Sequence, residues 1–206
     1  GEPCKDCPNI VFALTDDQDV TLGGWTPMRQ TQAEIEAEGA TLPRWTIHTP
    51  ICSPSRSETV SGRYFHHIKS DVAVPPPAVM PAATGHVNST LYANESFGVH
   101  LRAHAGYNVG MFGKSNFNTY EGFDRWFQGA SLAYGAVKWE DDEAPNGVYV
   151  QRANEYPTAL LGNKTVEWIL RPSERPFFAY FSSHCPHFPA TPAHWYRDAC
   201  AGTTSP

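Results

Sequence analysis

The chain has 206 residues and a formal net charge of −6, with 15 Lys and Arg set against 21 Asp and Glu. Its 41% hydrophobic content, with six Trp, nine Tyr and eleven Phe, is enough for one sizeable core and excludes general disorder. The acidic balance offers no basic stripe for a nucleic acid, and the longest apolar runs, residues 10–14 and 177–181, are too short to cross a bilayer.

In chain order, residues 8–14 read as a short buried strand that ends abruptly at Thr15-Asp16-Asp17 and so delivers two carboxylates at its carboxyl end. Residues 29–38, rich in Gln, Glu and Ala and stopped by Gly39, predict a surface helix with a glycine cap. Residues 52–63 predict a second helix, with Ser53 and Pro54 in its N-terminal positions and Gly62 near its end. The prolines at 75–77 and 81 make residues 73–85 a loop. Helical spacing returns at 97–105, a strand at 107–112 leads into Gly113-Lys114, and 140–147 is an acidic turn. Residues 158–170 read as a helix closed by Pro172, and the strand 177–181 runs into Ser182-Ser-His-Cys-Pro-His187. This alternation predicts an α/β sandwich with a largely parallel sheet and a ligand site at the carboxyl ends of its strands. Asp16, Asp17, Lys114, His184 and His187 all follow predicted strands.

Three N-x-S/T sequons, at Asn88, Asn94 and Asn163, tilt the reading towards a secreted or lumenal glycoprotein, extracellular or lysosomal. Residue 1 is Gly and no charged-then-apolar leader follows, so a signal peptide is expected to have been removed or left out. The five cysteines, Cys4, Cys7, Cys52, Cys185 and Cys200, leave one thiol over for another purpose in an exported chain.

Adjacent carboxylates at a strand end suit a hard cation such as Ca²⁺ or Mg²⁺, although turn chemistry also selects Asp, and Asp19 adds both a carboxylate and turn character. Cys52 at a helix N-terminus sits where an oxyanion or a reactive sulfur is favoured. Arg56, one turn on, can aim its fork back at that position; a structural Cys beside a surface Arg has the same spacing. Cys4-x-x-Cys7 is a zinc half-site by spacing, with a disulfide or a free pair preferred. Trp25, Tyr120, Trp126, Tyr134 and Trp139 are either sugar-stacking rings or core.

Cys52-Ser-Pro-Ser-Arg56 followed by Ser61-Gly62-Arg63 resembles the type I sulfatase signature C-x-P-S-R-x₄-T-G-[RK], with Ser61 in place of Thr. Pro8-Asn9-Ile-Val-Phe with Asp16-Asp17 is similar to that family's opening strand and metal pair. Gly113-Lys114 is similar to its G-K segment, and His184-Cys-Pro-His187-Phe-Pro189 to its P-H-x-P element. The resemblance implies an alkaline-phosphatase-like α/β fold and hydrolysis of sulfate monoesters, of a sulfated carbohydrate or an aryl sulfate. Cys52, oxidised to Cα-formylglycine by the formylglycine-generating enzyme, would supply a gem-diol nucleophile. Asp16, Asp17 and residue 52 would hold Ca²⁺ or Mg²⁺, Arg56 would orient the diol, Lys114 would bind a sulfate oxygen and His187 would protonate the leaving alcohol. It leaves four cysteines to pair, Cys4 with Cys7 and Cys185 with Cys200 being one of three connectivities.

The departures are specific. Asn116 stands where many sulfatases have His, closer to the G-K-Y-L-N pattern of glucosamine-6-sulfatases and algal arylsulfatases, and His66 or His67 would be the imidazole to replace it unless merely structural. No Asp-Asn follows His187, and the one later carboxylate is Asp198, so residues 1–206 are expected to be the front part of a sulfatase catalytic domain, short of its second metal pair and second Lys. The alternatives are a phosphonate or phosphate-ester hydrolase of the same superfamily, and a catalytically silent sulfate-binding fragment.

Overall fold

The computed structural model describes residues 4, 6–68, 95–115, 122–129, 134, 137–199 and 201–202. Its strands are β1 (Ile10–Asp16), β2 (Asn108–Gly113), β3 (Arg125–Gln128), β4 (Lys138–Asp141), β5 (Val148–Val150) and β6 (Phe177–Pro186). The helices are α1 (Arg29–Thr31, continuing as a π-turn over Gln32–Glu36), α2 (Cys52–Ser61), α3 (Phe65–Ile68), α4 (Phe97–Ala105) and α5 (Pro157–Ile169). Among the described residues none of these helices is long and apolar enough to cross a membrane.

One six-stranded sheet has the order β1-β6-β2-β3-β4-β5. The first four of these strands are mutually parallel, and β4 and β5 each run antiparallel to the strand before. The expected α/β architecture with a largely parallel sheet is what the chain forms. Side-chain alternation along β2 divides the core in two. Val109 and Met111 join Val60 of α2, Tyr107, Phe123 and Tyr180, with Phe97 and Leu101 of α4 packed against them. Phe112, one position on, joins Phe127, Trp139 and the Leu160-Leu161 pair of α5 on the opposite face. Helices therefore cover both faces, and the carboxyl ends of β1, β2 and β6 open at one edge of the sandwich.

Several elements depart from the sequence expectation. The strand at 10–16 is not buried: Val11 is 52% and Phe12 38% exposed, because β1 is the last strand of the sheet among the described residues and only β6 lies against it. The helix expected over 29–38 is a three-residue α-turn followed by a π-turn with no buried side chain, so no apolar stripe holds it as a regular helix. β6 runs five residues beyond Phe181, since Ser182, Ser183 and His184 are buried between neighbouring strands instead of leaving the sheet. The acidic turn is the tip of the β4–β5 hairpin, with Asp141 buried against Arg125. The loop expected at 73–85 lies outside the described residues.

Candidate active site

The strand β1 ends on Asp16, which is buried, and the chain turns at once through Asp17 in the left-handed region (φ 60°). That turn sends the two neighbouring carboxylates into different surroundings, Asp16 inward and Asp17 to a side chain that is 58% exposed. Asp16 meets two cations from two other elements. Lys114, the residue after β2, donates from Nζ to Asp16 Oδ2 at 2.5 Å. Arg56, in α2, places Nη2 3.2 Å from Asp16 Oδ1. Burial alone would raise the Asp16 carboxyl, but the Lys114 hydrogen bond and the charges of Arg56 and Lys114 outweigh it and hold the group below the usual carboxylate range.

Helix α2 begins on Cys52, so the sulfur stands at the positive end of the helix, and Gly62 closes the helix in the left-handed conformation with its N–H on the Glu58 carbonyl. The half-buried Cys52 thiol points its Sγ at Asp16 Oδ1, 3.8 Å away. The guanidinium of Arg56, buried beneath it, is tied down by Ser182 Oγ and by the Lys114 carbonyl, and Ser182 Oγ donates to that same carbonyl at 2.7 Å. Ser182 thus locks the two cation-bearing segments to β6. Sequence reasoning gave it no role; its one signal was a small polar residue continuing an apolar strand.

His187 follows β6 and carries its ring back to the same place. Its Nε2 lies 3.6 Å from Asp17 Oδ2, while Nδ1 contacts the Phe188 carbonyl at 2.7 Å. The backbone on both sides of that turn is held by Tyr134, whose hydroxyl donates to the carbonyls of His184 (3.3 Å) and His187 (2.6 Å). Burial, with the charges of Cys185, Asp16 and Asp17, pushes the Tyr134 hydroxyl up to about 12, so it stays a donor at every physiological pH. Tyr134 is thus a scaffold for the site rather than a core side chain.

Asp16, Cys52 and His187 each bring one donor atom within 4.8 Å of the others. Asp16 and Cys52 border a cleft of about 290 Å³ walled also by Asp17, Gln18, Ile47, Pro50, Ile51 and Arg56. A carboxylate oxygen, a sulfur and an imidazole nitrogen this close together are donors suited to a divalent cation. Of the residues singled out in the sequence, Asp16, Cys52, Arg56, Lys114 and His187 are brought together, and Asp17 stands at the rim. Asp19 accepts the Leu22 N–H and is a turn residue. His66 and His67 are exposed on α3, their rings 4.1 Å apart and gathered around Tyr64. Cys4 and Cys7 form a disulfide, which removes the zinc half-site, and Cys185 is a free thiol. Trp139 is buried core, and Trp25 binds Glu36 through its indole N–H. Tyr120, Asn116 and Cys200, with Asn88 and Asn94, lie outside the described residues.

The chain is similar to known proteins along most of its length. The family model described as Sulfatase matches residues 8–205. The N-acetylglucosamine-6-sulfatase of Capra hircus is 27% identical over 227 residues, covering 97% of this chain and 37% of its own length. The extracellular sulfatase SULF-1 homolog of Drosophila melanogaster is 26% identical over 204 residues, covering 92% of this chain and 17% of its own. The chain therefore spans well under half the length of these curated relatives. A protein solved in complex with its substrate, D-glucosamine-2-N,6-O-disulfate, superposes with a TM-score of 0.68 at 20% identity, covering 97% of this chain and 38% of that one.

Proposed function

Because the chain belongs to the sulfatase family, we propose that it carries the sulfate-binding and nucleophilic part of a sulfuric ester hydrolase acting on sulfated sugars, with aryl sulfates as the second substrate class. The observation that supports this most directly is the convergence of Asp16, Cys52, Arg56, Lys114 and His187 at the carboxyl ends of three adjacent strands. A sulfate monoester shields its sulfur behind negative oxygens, so cleavage needs fixed positive charge and a strong nucleophile in one dry place. Arg56 and Lys114, both buried, supply that charge, and their shared carboxylate Asp16 fixes their positions before substrate arrives. Lys114 is assigned to a sulfate oxygen and Arg56 to the nucleophile at position 52. His187, whose Nε2 faces the rim carboxylate of Asp17, is assigned to protonate the departing alcohol oxygen.

Two groups complete the chemistry. Cys52, converted to Cα-formylglycine by the formylglycine-generating enzyme, supplies a geminal hydroxyl as nucleophile. A divalent cation, Ca²⁺ ahead of Mg²⁺, held by Asp16, Asp17 and residue 52, supplies Lewis acidity towards a sulfate oxygen. The Cys4–Cys7 disulfide, the exposed side chain of Asn163 in its sequon and the extracellular name of the Drosophila relative support secretion with N-glycosylation. The names of the N-acetylglucosamine-6-sulfatase relatives favour a sulfated amino sugar.

Mass spectrometry tests the nucleophile. Coexpressed with the maturation enzyme, the peptide bearing position 52 should be about 18 Da lighter than its thiol form, a loss that ordinary cysteine oxidation does not produce. Active protein that retains the thiol would overturn the assignment. Relative turnover of an aryl sulfate, an aryl phosphate and a phosphonate ester then ranks the substrate classes, with sulfate expected first.

A further inference from the structure

The geometry points to a second metal chemistry at this site, distinct from that of a hard cation. We infer that the chain with Cys52 still a thiol binds Zn²⁺ through Asp16, Cys52 and His187, with Asp17 or water in the fourth position.

The three donor atoms lie within 4.8 Å of one another, and the Cys52 Sγ to Asp16 Oδ1 separation is 3.8 Å. Tetrahedral zinc with sulfur at about 2.3 Å and nitrogen or oxygen at about 2.0–2.2 Å sets its ligand atoms roughly 3.4–3.6 Å apart. The site is therefore within a small side-chain adjustment of that geometry. The ring of His187 is already oriented for the task. Its Nδ1 lies 2.7 Å from the Phe188 carbonyl, which can only accept, so in the neutral ring the proton sits on Nδ1 and the lone pair on Nε2. A backbone carbonyl holding one ring nitrogen so that the other can ligate is the usual support of a metal-bound histidine. In that tautomer Nε2 and Asp17 Oδ2, 3.6 Å apart, are both acceptors, and a cation bound to Nε2 would relieve their repulsion.

The donor types then select the ion. Ca²⁺ takes oxygen ligands and gains nothing from sulfur or imidazole nitrogen, whereas both suit Zn²⁺. The nearby positive charges of Arg56 and Lys114 oppose any cation, so one that also draws a thiolate into its shell has the advantage. Binding would release the thiol proton to solvent as the sulfur–metal bond forms. The inference is independent of the sulfatase chemistry, which requires that the sulfur be gone.

The test uses the 206-residue chain made without maturation enzyme, with Co²⁺ as the spectroscopic stand-in for Zn²⁺. One equivalent should give a near-ultraviolet sulfur-to-cobalt charge-transfer band and the visible bands of a four-coordinate ion, both removed by Zn²⁺ but not by excess Ca²⁺. Cys52→Ser should abolish the charge-transfer band and weaken Zn²⁺ binding by at least about 100-fold, more than the loss of a supporting neighbour costs. His187→Gln should keep the sulfur band but weaken binding comparably, with far-ultraviolet circular dichroism showing both variants folded. Cys185→Ser controls for the other described free thiol and should change neither quantity. Absence of the band from the parent chain, its survival in Cys52→Ser, or its loss in Cys185→Ser would each overturn the assignment.

Discussion

His184 is 2% exposed, its ring set edge-on against Trp139 at 5.6 Å between centroids, and Gly129's backbone faces it without reaching hydrogen-bonding geometry at either nitrogen. Burial first, then the charges of Lys114 and Arg56, push this imidazole down to about 4 from 6.5. The folded chain therefore keeps the ring neutral while the unfolded chain protonates it between those values. The resulting stability is complete above about pH 6.5 and is lost as pH falls to about 4, on the order of 3 kcal/mol in all. Asp16 acts in a lower window. Its carboxyl is depressed below 3.8, so its contribution persists above that value and disappears only as pH falls through the folded pKa. Urea unfolding between about pH 7.5, roughly one unit above the window, and about pH 4.5, near its lower end, should show the parent losing stability steeply and His184→Gln losing much less. Parallel pH slopes would mean that His184 does not titrate on unfolding. The residues most legible in the sequence were those that carry a motif: Asp16, Cys52, Arg56, Lys114 and His187. Ser182 and Tyr134 act by bonding backbone carbonyls across the site, and no spacing pattern announces a contact made only through the fold.

At the scale of elements, the site depends on how closely β2 and β6 approach. Gly113 ends β2 at φ 111°, opposite Ser182, and a Cβ there would lie 2.0 Å from the Ser182 carbonyl oxygen. That carbonyl receives the Lys114 N–H at 2.9 Å, so the glycine sets where Lys114 leaves the sheet. Gly113→Ala should cost at least about 3 kcal/mol and displace Lys114 from Asp16. Gly62→Ala, at a left-handed cap with nothing within 4 Å of the added methyl, should cost about 1–2 kcal/mol. Denaturant midpoints of the two variants compare a steric clash with backbone strain alone, and equal losses would place the cost of Gly113 in its φ. The same elements show why part of the fold was hidden in the sequence. β2, α4 and α5 were legible because apolar residues recur at their own period. The strands β3 and β4 were not, because they are four residues each and their inward positions include Arg125 and Asp141, whose burial is offset by pairing with each other across the sheet. The carboxyl end of β6 is hidden for the same reason, its last buried positions being Ser182, Ser183 and His184.

For the whole molecule, the question is how much of a sulfatase site these residues hold. Asp16 stands on the outermost strand among the described residues, braced on one side by β6, with Val11 and Phe12 of that strand open to solvent. It is already shared between Lys114 and Arg56, and Asp17 is the next carboxylate at hand. Calcium favours about six to eight oxygen ligands, and its affinity falls with the number of charged ones. Two carboxylates beside two fixed cations would therefore hold calcium weakly, with most of its shell completed by water. A sulfate held by Lys114 would also go without a second lysine, and removing one preorganised donor typically costs about 10²–10³ in rate. The matured 206-residue chain should accordingly bind Ca²⁺ weakly by calorimetry and turn over aryl sulfate at a small fraction of the rate of a chain extended to carry an Asp-Asn pair and a lysine beyond His187. The extension should raise both quantities together, because the added carboxylate strengthens the cation and the cation and lysine act on the same sulfate. Full turnover from the 206 residues alone would mean that the cluster of Asp16, Arg56, Lys114 and His187 is sufficient, and that the open edge of β1 has no bearing on catalysis.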